Sequence, residues 1–464
     1  MNTKLKFLPL FFLVSSLVCA KPAFAEDQLL DTCLKIAESR EKKLVLANEQ
    51  INLSDIRVKR SIRKFFPSAA AQLKVSKGET ANAEYQAEQY MLRASQPIYE
   101  GGRLRANYKY DNFMLLSAKY NYTKTREEFF GSVKLAYYEL LSKKMEFRTL
   151  KQAYEEVEKL LKKVKVEYKS KAISQLDLVE SENFRDKVRD LMDSTEEGIG
   201  LATQKLTLLL NVNGLDEVPT PMPESLPDDI ASISFTLKEC SEFALVNSID
   251  LKIANLQIQM ASQKKKISRS KIIPKFYLDG SYGRDGEAFV TQPLDLTTVW
   301  SVIGKMSWGL WGNSMETSII NDKTDPKTIV DYGVKVENTT SELKVGFLDD
   351  MDYFVDSKES SVSFVQSESD HQEEVRRITE EVHANYYDYT SSYRDIKTYR
   401  NEITLRKRKL ALMKKKNKLY EVPTVQVMEE SWEYAETIAA HAKALYRNYA
   451  AVTNLEKITL VALR

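Results

Sequence analysis

Apolar residues recur along this chain with two distinct periods. Between residues 102 and 172 there is no proline and one glycine, Gly131. Within that stretch Leu150, Tyr154, Val157, Leu161, Val164 and Tyr168 are spaced 4, 3, 4, 3, 4, an unbroken heptad seam. One very long helix is predicted; seventy residues at 1.5 Å each would span ~105 Å. A return helix follows on Phe184, Val188 and Leu191, then after a stutter Ile199, Ala202, Leu206 and Leu209. Upstream, a helical pattern from Asp31 to Lys64 stops before Pro67. Two runs of period 2, 69–77 and 85–99, lie between, with Tyr90, Leu92 and Ala94 on one side. The second half repeats them at 275–283 and 298–311. There Trp300, Val302, Met306, Trp308 and Leu310 share one face and Ser301, Lys305 and Ser307 the other. Such runs, with aromatic ends, fit lipid-facing barrel strands. The lesser alternative is ordinary amphipathic hairpins packed on helices.

The halves are related by duplication. At an offset of 207, Leu30, Cys33, Ala37, Leu44, Ala47, Asn48, Gln50, Ile51, Lys59, Ser61 and Pro67 match identical residues from Leu237 to Pro274 without a gap. Gln96-Pro97-Ile98-Tyr99 pairs with Trp308-Gly309-Leu310-Trp311 at offset 212, and Val133, Tyr137 and Tyr138 pair with Val382, Tyr386 and Tyr387 at offset 249. Ser174 pairs with Thr424 at offset 250, so the span from the tyrosine pair to this turn is kept within one residue. The repeats are thus 26–213 and 236–464, joined by a linker, 214–235, that holds Pro219, Pro221, Pro223 and Pro227. The second repeat also carries an insertion of about 37 residues (249 − 212), placed at 319–355 and including Thr328-Ile329-Val330 and Val334-Lys335-Val336. It reads as an added hairpin near the rim of the strands, a band around the helices, or an unstructured decoration.

Composition narrows the class. Residues 1–25 have the form of a signal peptide: Lys4 and Lys6, an apolar stretch from Phe7 to Ala20, and Ala23-Phe24-Ala25 before Glu26. Cys19 follows Val18, which is not the small residue a lipobox needs. Without the three leader lysines, Lys+Arg falls from 68 to 65 against 66 Asp+Glu, which leaves no basic excess for nucleic acid. No other segment has 18 uninterrupted apolar residues, so a transmembrane helix is not expected. Cys33 and Cys240, at equivalent repeat positions, read as small buried residues rather than a disulfide pair. The sequence holds no Walker A, no Gly-x-Ser-x-Gly and no cysteine pair at zinc spacing. Glu380-x-x-His383 is half of what a di-iron bundle needs. Neither an enzyme nor a cofactor is expected.

If the four strands cross a membrane, they cannot close alone, because barrels need about eight or more. Three chains would supply twelve. At this point the chain resembles the TolC-like outer-membrane efflux proteins. The resemblance rests on the leader, the two-fold repeat, the strand-to-helix sequence Gln96-Pro97-Ile98-Tyr99-Glu100-Gly101-Gly102-Arg103, and the turn Ser174-Gln175-Leu176-Asp177-Leu178. It implies a mainly α fold of duplicated antiparallel coiled-coil helices forming an α-barrel, above which a homotrimer closes a 12-stranded β-barrel in outer-membrane lipid. It further implies a periplasmic adaptor and an inner-membrane transporter of the RND or ABC type as partners, in tripartite efflux or type I secretion. A soluble periplasmic coiled-coil scaffold is the competing expectation.

The resemblance also points to residues. Acidic side chains near the inner helix turns would narrow the pore and favour cations: Asp177 in the first repeat, and Glu430 in the second, where Val427 replaces the aspartate. Adaptor docking would fall on the tip turns at Lys171, Ser174, Glu421 and Thr424. The family favours glycine where Lys171 and Glu421 stand, and Pro423 is expected to shorten the second turn. Pro97, Gly101 and Gly102 would form the strand-to-helix junction.

Overall fold

The computed structural model describes residues 23–80, 83–212, 232–289, 291, 293–310, 312–324, 336–461 and 463. All but the last three residues of the expected leader, most of the expected linker, and residues 325–335 of the insertion lie outside this set.

The elements follow a repeated order. Helices α1 (Ala23–Arg40) and α2 (Lys42–Arg63) lead into strands β1 (Ser68–Thr80) and β2 (Ala83–Glu100). The long helix α3 (Arg103–Lys169) and its return α4 (Gln175–Leu210) complete the first half. The second half has α5 (Leu237–Asn247), α6 (Ile249–Arg269), β3 (Lys275–Phe289), β4 (Thr297–Leu310), β5 (Gly312–Thr324), β6 (Val336–Asp350), α7 (Asp352–Lys418) and α8 (Thr424–Thr459). The long helices are both 67 residues and the return helices both 36. From Arg103 to Leu210 each boundary recurs 249 residues later. The helix called from Asp31 to Lys64 is two, broken after Arg40.

The chain divides into two compact units. One holds residues 1–41, 130–230 and 389–453. Its core is the heptad seam: Leu150, Val157, Leu161 and Val164 are buried with Val188, Met428 and Ala435, and half-buried Tyr154, Phe184, Leu191 and Trp432 close over them. Tyr168, the last residue of the seam, is exposed. Helices this long are held by such packing rather than by propensity. No described helix is long and apolar enough to cross a membrane.

The second unit, residues 42–129, 231–388 and 454–464, contains the sheet. The six described strands pair in chain order, each antiparallel to the next. Two more strands are therefore present than the alternation revealed, and both come from the insertion. Around the expected insertion at 319–355, β5 and β6 form a hairpin that adds to the free edge of β4 at full strand length. Of the three expectations it is the added hairpin, paired along β4 and not only at its rim. Its strands alternate as the others do: Met315, Thr317 and Ile319 face one way and Glu316, Ser318 and Asp322 the other, while Leu343 and Val345 oppose Glu342 and Lys344. Weak hydrophobicity hid this pattern, since threonine, serine and asparagine fill much of both strands.

The register gathers most of the large apolar side chains on one sheet face, which also carries Arg284, Lys323 and Glu337 toward one end. Leu73 lies opposite Tyr90 and Ala71 opposite Leu92; Leu92 faces Tyr282, which faces Trp300; Thr317 faces Leu343 and Met315 faces Val345. The reverse face is more polar, although Ile303 and Ile320 lie on it. There Ser95 donates to Asp279 (2.5 Å), Lys305 pairs with Asp279 (2.9 Å), and the Ser281 and Ser301 hydroxyls meet at 2.7 Å. Cys33 and Cys240, in different units, form no disulfide and are fully buried, and burial pushes the Cys33 thiol up to about 11.

Candidate functional site

Residues singled out by the sequence lie at two places, one in each unit. In the sheet unit, β2 hands over to α3 through Gly101 and Gly102, both with positive φ (59° and 83°). Pro97 sits where β2 slips register against β3, a bulge at which a missing N–H costs no ladder bond. Glu100 is buried and satisfied three ways: Arg103 Nε donates to it at 2.8 Å, Arg103 Nη2 lies at 2.6 Å, and the Tyr277 hydroxyl donates at 3.1 Å. Arg103 opens the long helix, so this ion pair fixes the direction in which the helix leaves the strand.

In the helical unit the two tip turns start alike. Lys171 N–H donates to Tyr168 O and Ala172 N–H to Glu167 O; Tyr420 N–H donates to Asn417 O and Glu421 N–H to Lys416 O. These bonds close each helix end around a left-handed residue, Lys171 (φ 56°) and Tyr420 (φ 62°). Glycine would sit there without strain; any other residue costs roughly 1–2 kcal/mol. The second glycine-like position is thus Tyr420, not Glu421.

The repeats diverge after that residue. Ser174 caps α4: its hydroxyl accepts from Asp177 N–H (3.1 Å), while Asp177 accepts from the Ser174 N–H (2.9 Å) and hydroxyl (2.7 Å). Because α8 starts at Thr424, 249 residues after Gln175, the residue in the place of Ser174 is Pro423. The Ser174–Thr424 pairing was out by one position, and the proline replaces a cap instead of shortening a turn. Asp177 then corresponds to Gln426, and Glu430 to buried Ser181.

Thr424 does different work. Nearly fully buried, it donates to the Glu167 carboxylate (2.9 and 3.0 Å) and accepts from Asn417 Nδ2 (3.0 Å). Asn417 also donates to Val422 O (2.9 Å) and accepts from Lys163 Nζ (2.6 Å). The end of α3 is thereby latched to the α7–α8 turn by four polar side chains, Lys163, Glu167, Asn417 and Thr424. Lys171, Ser174 and Glu421 remain exposed on the turns, beside Leu176, Leu419 and Tyr420.

The two acids also differ in their surroundings. Hydrogen bonds from the Ser174 hydroxyl and amide hold the partly exposed Asp177 below the usual carboxylate range. Glu430 is only 2% exposed, against Lys409 Nζ and 3.5 Å from Arg406 Nη1. Arg406 also reaches Glu402 (2.9 Å) and Glu433. Glu430 is therefore a carboxylate matched within its own chain and not a bare charge. Sequence reasoning missed Lys163, Glu167, Asn417, Arg406 and Lys409. One signal was available: Asn417 is the lone amide in the run Lys414-Lys415-Lys416-Asn417-Lys418.

The cap gives a pH signature. Since the folded pKa of Asp177 is depressed, its contribution is present above the ordinary carboxylate pKa and fades as pH falls through the lower folded value. Asp177→Asn is expected to fray the start of α4 at neutral pH and to make no difference at the acid end. Amide exchange over residues 175–180 reads this directly.

Residues 37–190 match a family model described as "Outer membrane efflux protein". The chain resembles the outer membrane efflux proteins. The match covers most of the first repeat, including both sequences on which the resemblance was read. Solved structures extend the likeness of fold to the whole chain. The Campylobacter jejuni CmeC outer membrane channel is 12% identical, covers 100% of this chain and 95% of its own, and superposes with a TM-score of 0.74. VceC from Vibrio cholerae is 11% identical over 94% of this chain and 97% of its own, with a TM-score of 0.72. The open-state Neisseria gonorrhoeae MtrE channel is 13% identical over 94% and 90%, with a TM-score of 0.69. No curated protein matches the sequence.

Proposed function

We propose that the chain is the outer-membrane duct of an export system, a passive channel formed by three copies, with its sheet in lipid and its long helices in the periplasm. One observation carries this reading: a sheet with large apolar side chains open on one face. Leu73, Leu92, Tyr282, Ile319, Leu343 and Phe347 are 59–79% exposed and lie on one side of it. In water such a surface aggregates; in a bilayer it is the lipid face. A soluble scaffold would instead pack hairpins of this kind against its helices.

The helical unit supplies the inner mouth. Asp177, kept ionised at the α4 cap, is the acid that lends the mouth its negative field and its preference for cations. Glu430, with Arg406 and Lys409, holds α7 to α8, and the Lys163–Glu167–Asn417–Thr424 latch holds that pair to α3; opening would have to break such bonds. Exposed Lys171, Ser174 and Glu421, with the apolar side chains beside them, form the surface offered to a periplasmic adaptor, which would link the duct to an RND or ABC transporter.

The test is integration. Full-length chain in isolated outer membranes is expected to survive carbonate and high-salt washing and to leave only with detergent. Complete release without detergent would contradict the reading.

A further inference from the structure

The insertion changes how the barrel can close, an inference that rests on the duct reading above. A strand has two edges. Those of β4 are both occupied, by β3 on one side and β5 on the other. Those of β2, β3 and β5 are likewise filled. Among the described residues only β1 and β6 keep a free edge. Nearly every described residue of both, 68–79 and 337–348, is exposed. An unpaired edge is not tolerated in hydrocarbon, where backbone groups have no water to turn to. We propose that β6 of each chain pairs with β1 of a second copy, so that three copies close an eighteen-stranded barrel, six strands from each, in place of the twelve expected from the resemblance.

Direction, stagger and face all agree with this partner. In an antiparallel meander of six, β6 runs opposite to β1, so the new ladder is antiparallel like the rest. Stagger can be read from the register. Straight across one chain, Ser68 aligns through Ser95, Asp279, Ile303 and Ile320 with Thr340. Yet β6 continues ten residues beyond Thr340, to Asp350. Full overlap of the next copy's β1 (Ser68–Thr80) with β6 sets Ser68 opposite Leu348 and Thr80 opposite Val336, eight residues from the straight line. Three such offsets give a shear of about 24. With ~3.3 Å per residue and ~4.8 Å between strands, eighteen strands then tilt by about 42°, inside the 35–45° typical of barrels. The same register joins faces of the same kind: Leu73 falls opposite Leu343 on the lipid side, and Lys74 opposite Glu342 on the lumen side. The barrel would be roughly one and a half times as wide as one of twelve strands, a size at which a lumen is open to water.

Disulfide trapping in native outer membranes tests the closure. In full-length chain with Cys33→Ala and Cys240→Ala, the pair Leu73→Cys and Leu343→Cys is expected to give covalent dimers and trimers when oxidised with copper phenanthroline. Ala71→Cys and Val75→Cys, each with Leu343→Cys, cover a slip of one pair in either direction. Leu73→Cys with Met306→Cys on β4 is expected to give none. Cross-linking at Met306 and not at Leu343 would overturn the proposal, because β4 would then close the barrel and the hairpin would stand outside it. Absence of any cross-link in carbonate-resistant protein would overturn it as well. If the chain instead washes off with carbonate, it is the duct reading that fails.

Discussion

Valine in place of Gly101 is expected to stop the chain from reaching its folded, membrane-integrated state. Gly101 has φ of 59°, and a Cβ there would sit 2.9 Å from both the Ser270 carbonyl oxygen and Ile273 Cβ. The first contact is with backbone, which cannot swing away. A β-branched residue in the left-handed region adds strain of its own, and together the two cost about 3 kcal/mol or more. Gly102 is an internal control. Its φ is 83°, but a Cβ would meet nothing within 4 Å, so Gly102→Ala should cost only the left-handed backbone strain, roughly 1–2 kcal/mol. Yield of carbonate-resistant protein after membrane isolation should collapse for the first variant and stay near wild type for the second. Equal yields would show that the close approach of Gly101 to Ser270 and Ile273 does not constrain the junction.

The second large effect is a loss of stability in mild acid, located at His441. This residue of α8 is 4% exposed, and its Nδ1 has no hydrogen-bond partner among the described residues. Burial first, and the nearby Arg400 cation second, lower its pKa to about 4. An imidazole must stay neutral to remain in that place. The unfolded chain takes up the proton near pH 6.5, so the penalty begins there, grows as pH falls, and levels off below the folded pKa. Between pH 7.5 and 4.5 it amounts to about 2–3 kcal/mol per chain. His441→Phe, which keeps a ring and removes the titration, should flatten this part of the stability–pH curve. Denaturation midpoints of wild type and variant at the two pH values measure it. Parallel curves would mean that His441 is protonated without penalty.

Much of the fold was legible because its periods are long and regular. Four buried residues of α3, from Leu150 to Val164, were readable from spacing alone, as were the four strands whose outward positions are Trp, Val, Leu and Tyr. The hairpin of the insertion was not. Its lipid-side residues include Thr317, Thr339 and Ser341, which blur the alternation, and only pairing with β4 reveals which side they take.

The tips show a different limit. Ser174 and Thr424 look equivalent because both are hydroxyl residues at the start of a return helix. Backbone geometry decides otherwise: the left-handed residues Lys171 and Tyr420, and again Asn211 and Leu460, are 249 apart. Since three of those four are neither glycine nor asparagine, sequence gave no sign of them. Glu430 illustrates a third limit. Its partners Arg406 and Lys409 lie more than twenty residues away on the preceding helix, and their meeting depends on the packing of α7 against α8.

A duct must conduct. Full-length protein extracted in detergent from carbonate-washed outer membranes, added to a planar lipid bilayer, is predicted to insert in discrete steps of uniform conductance with a preference for cations. Protein that is integrated and oligomeric yet leaves the bilayer insulating would contradict the account at its centre.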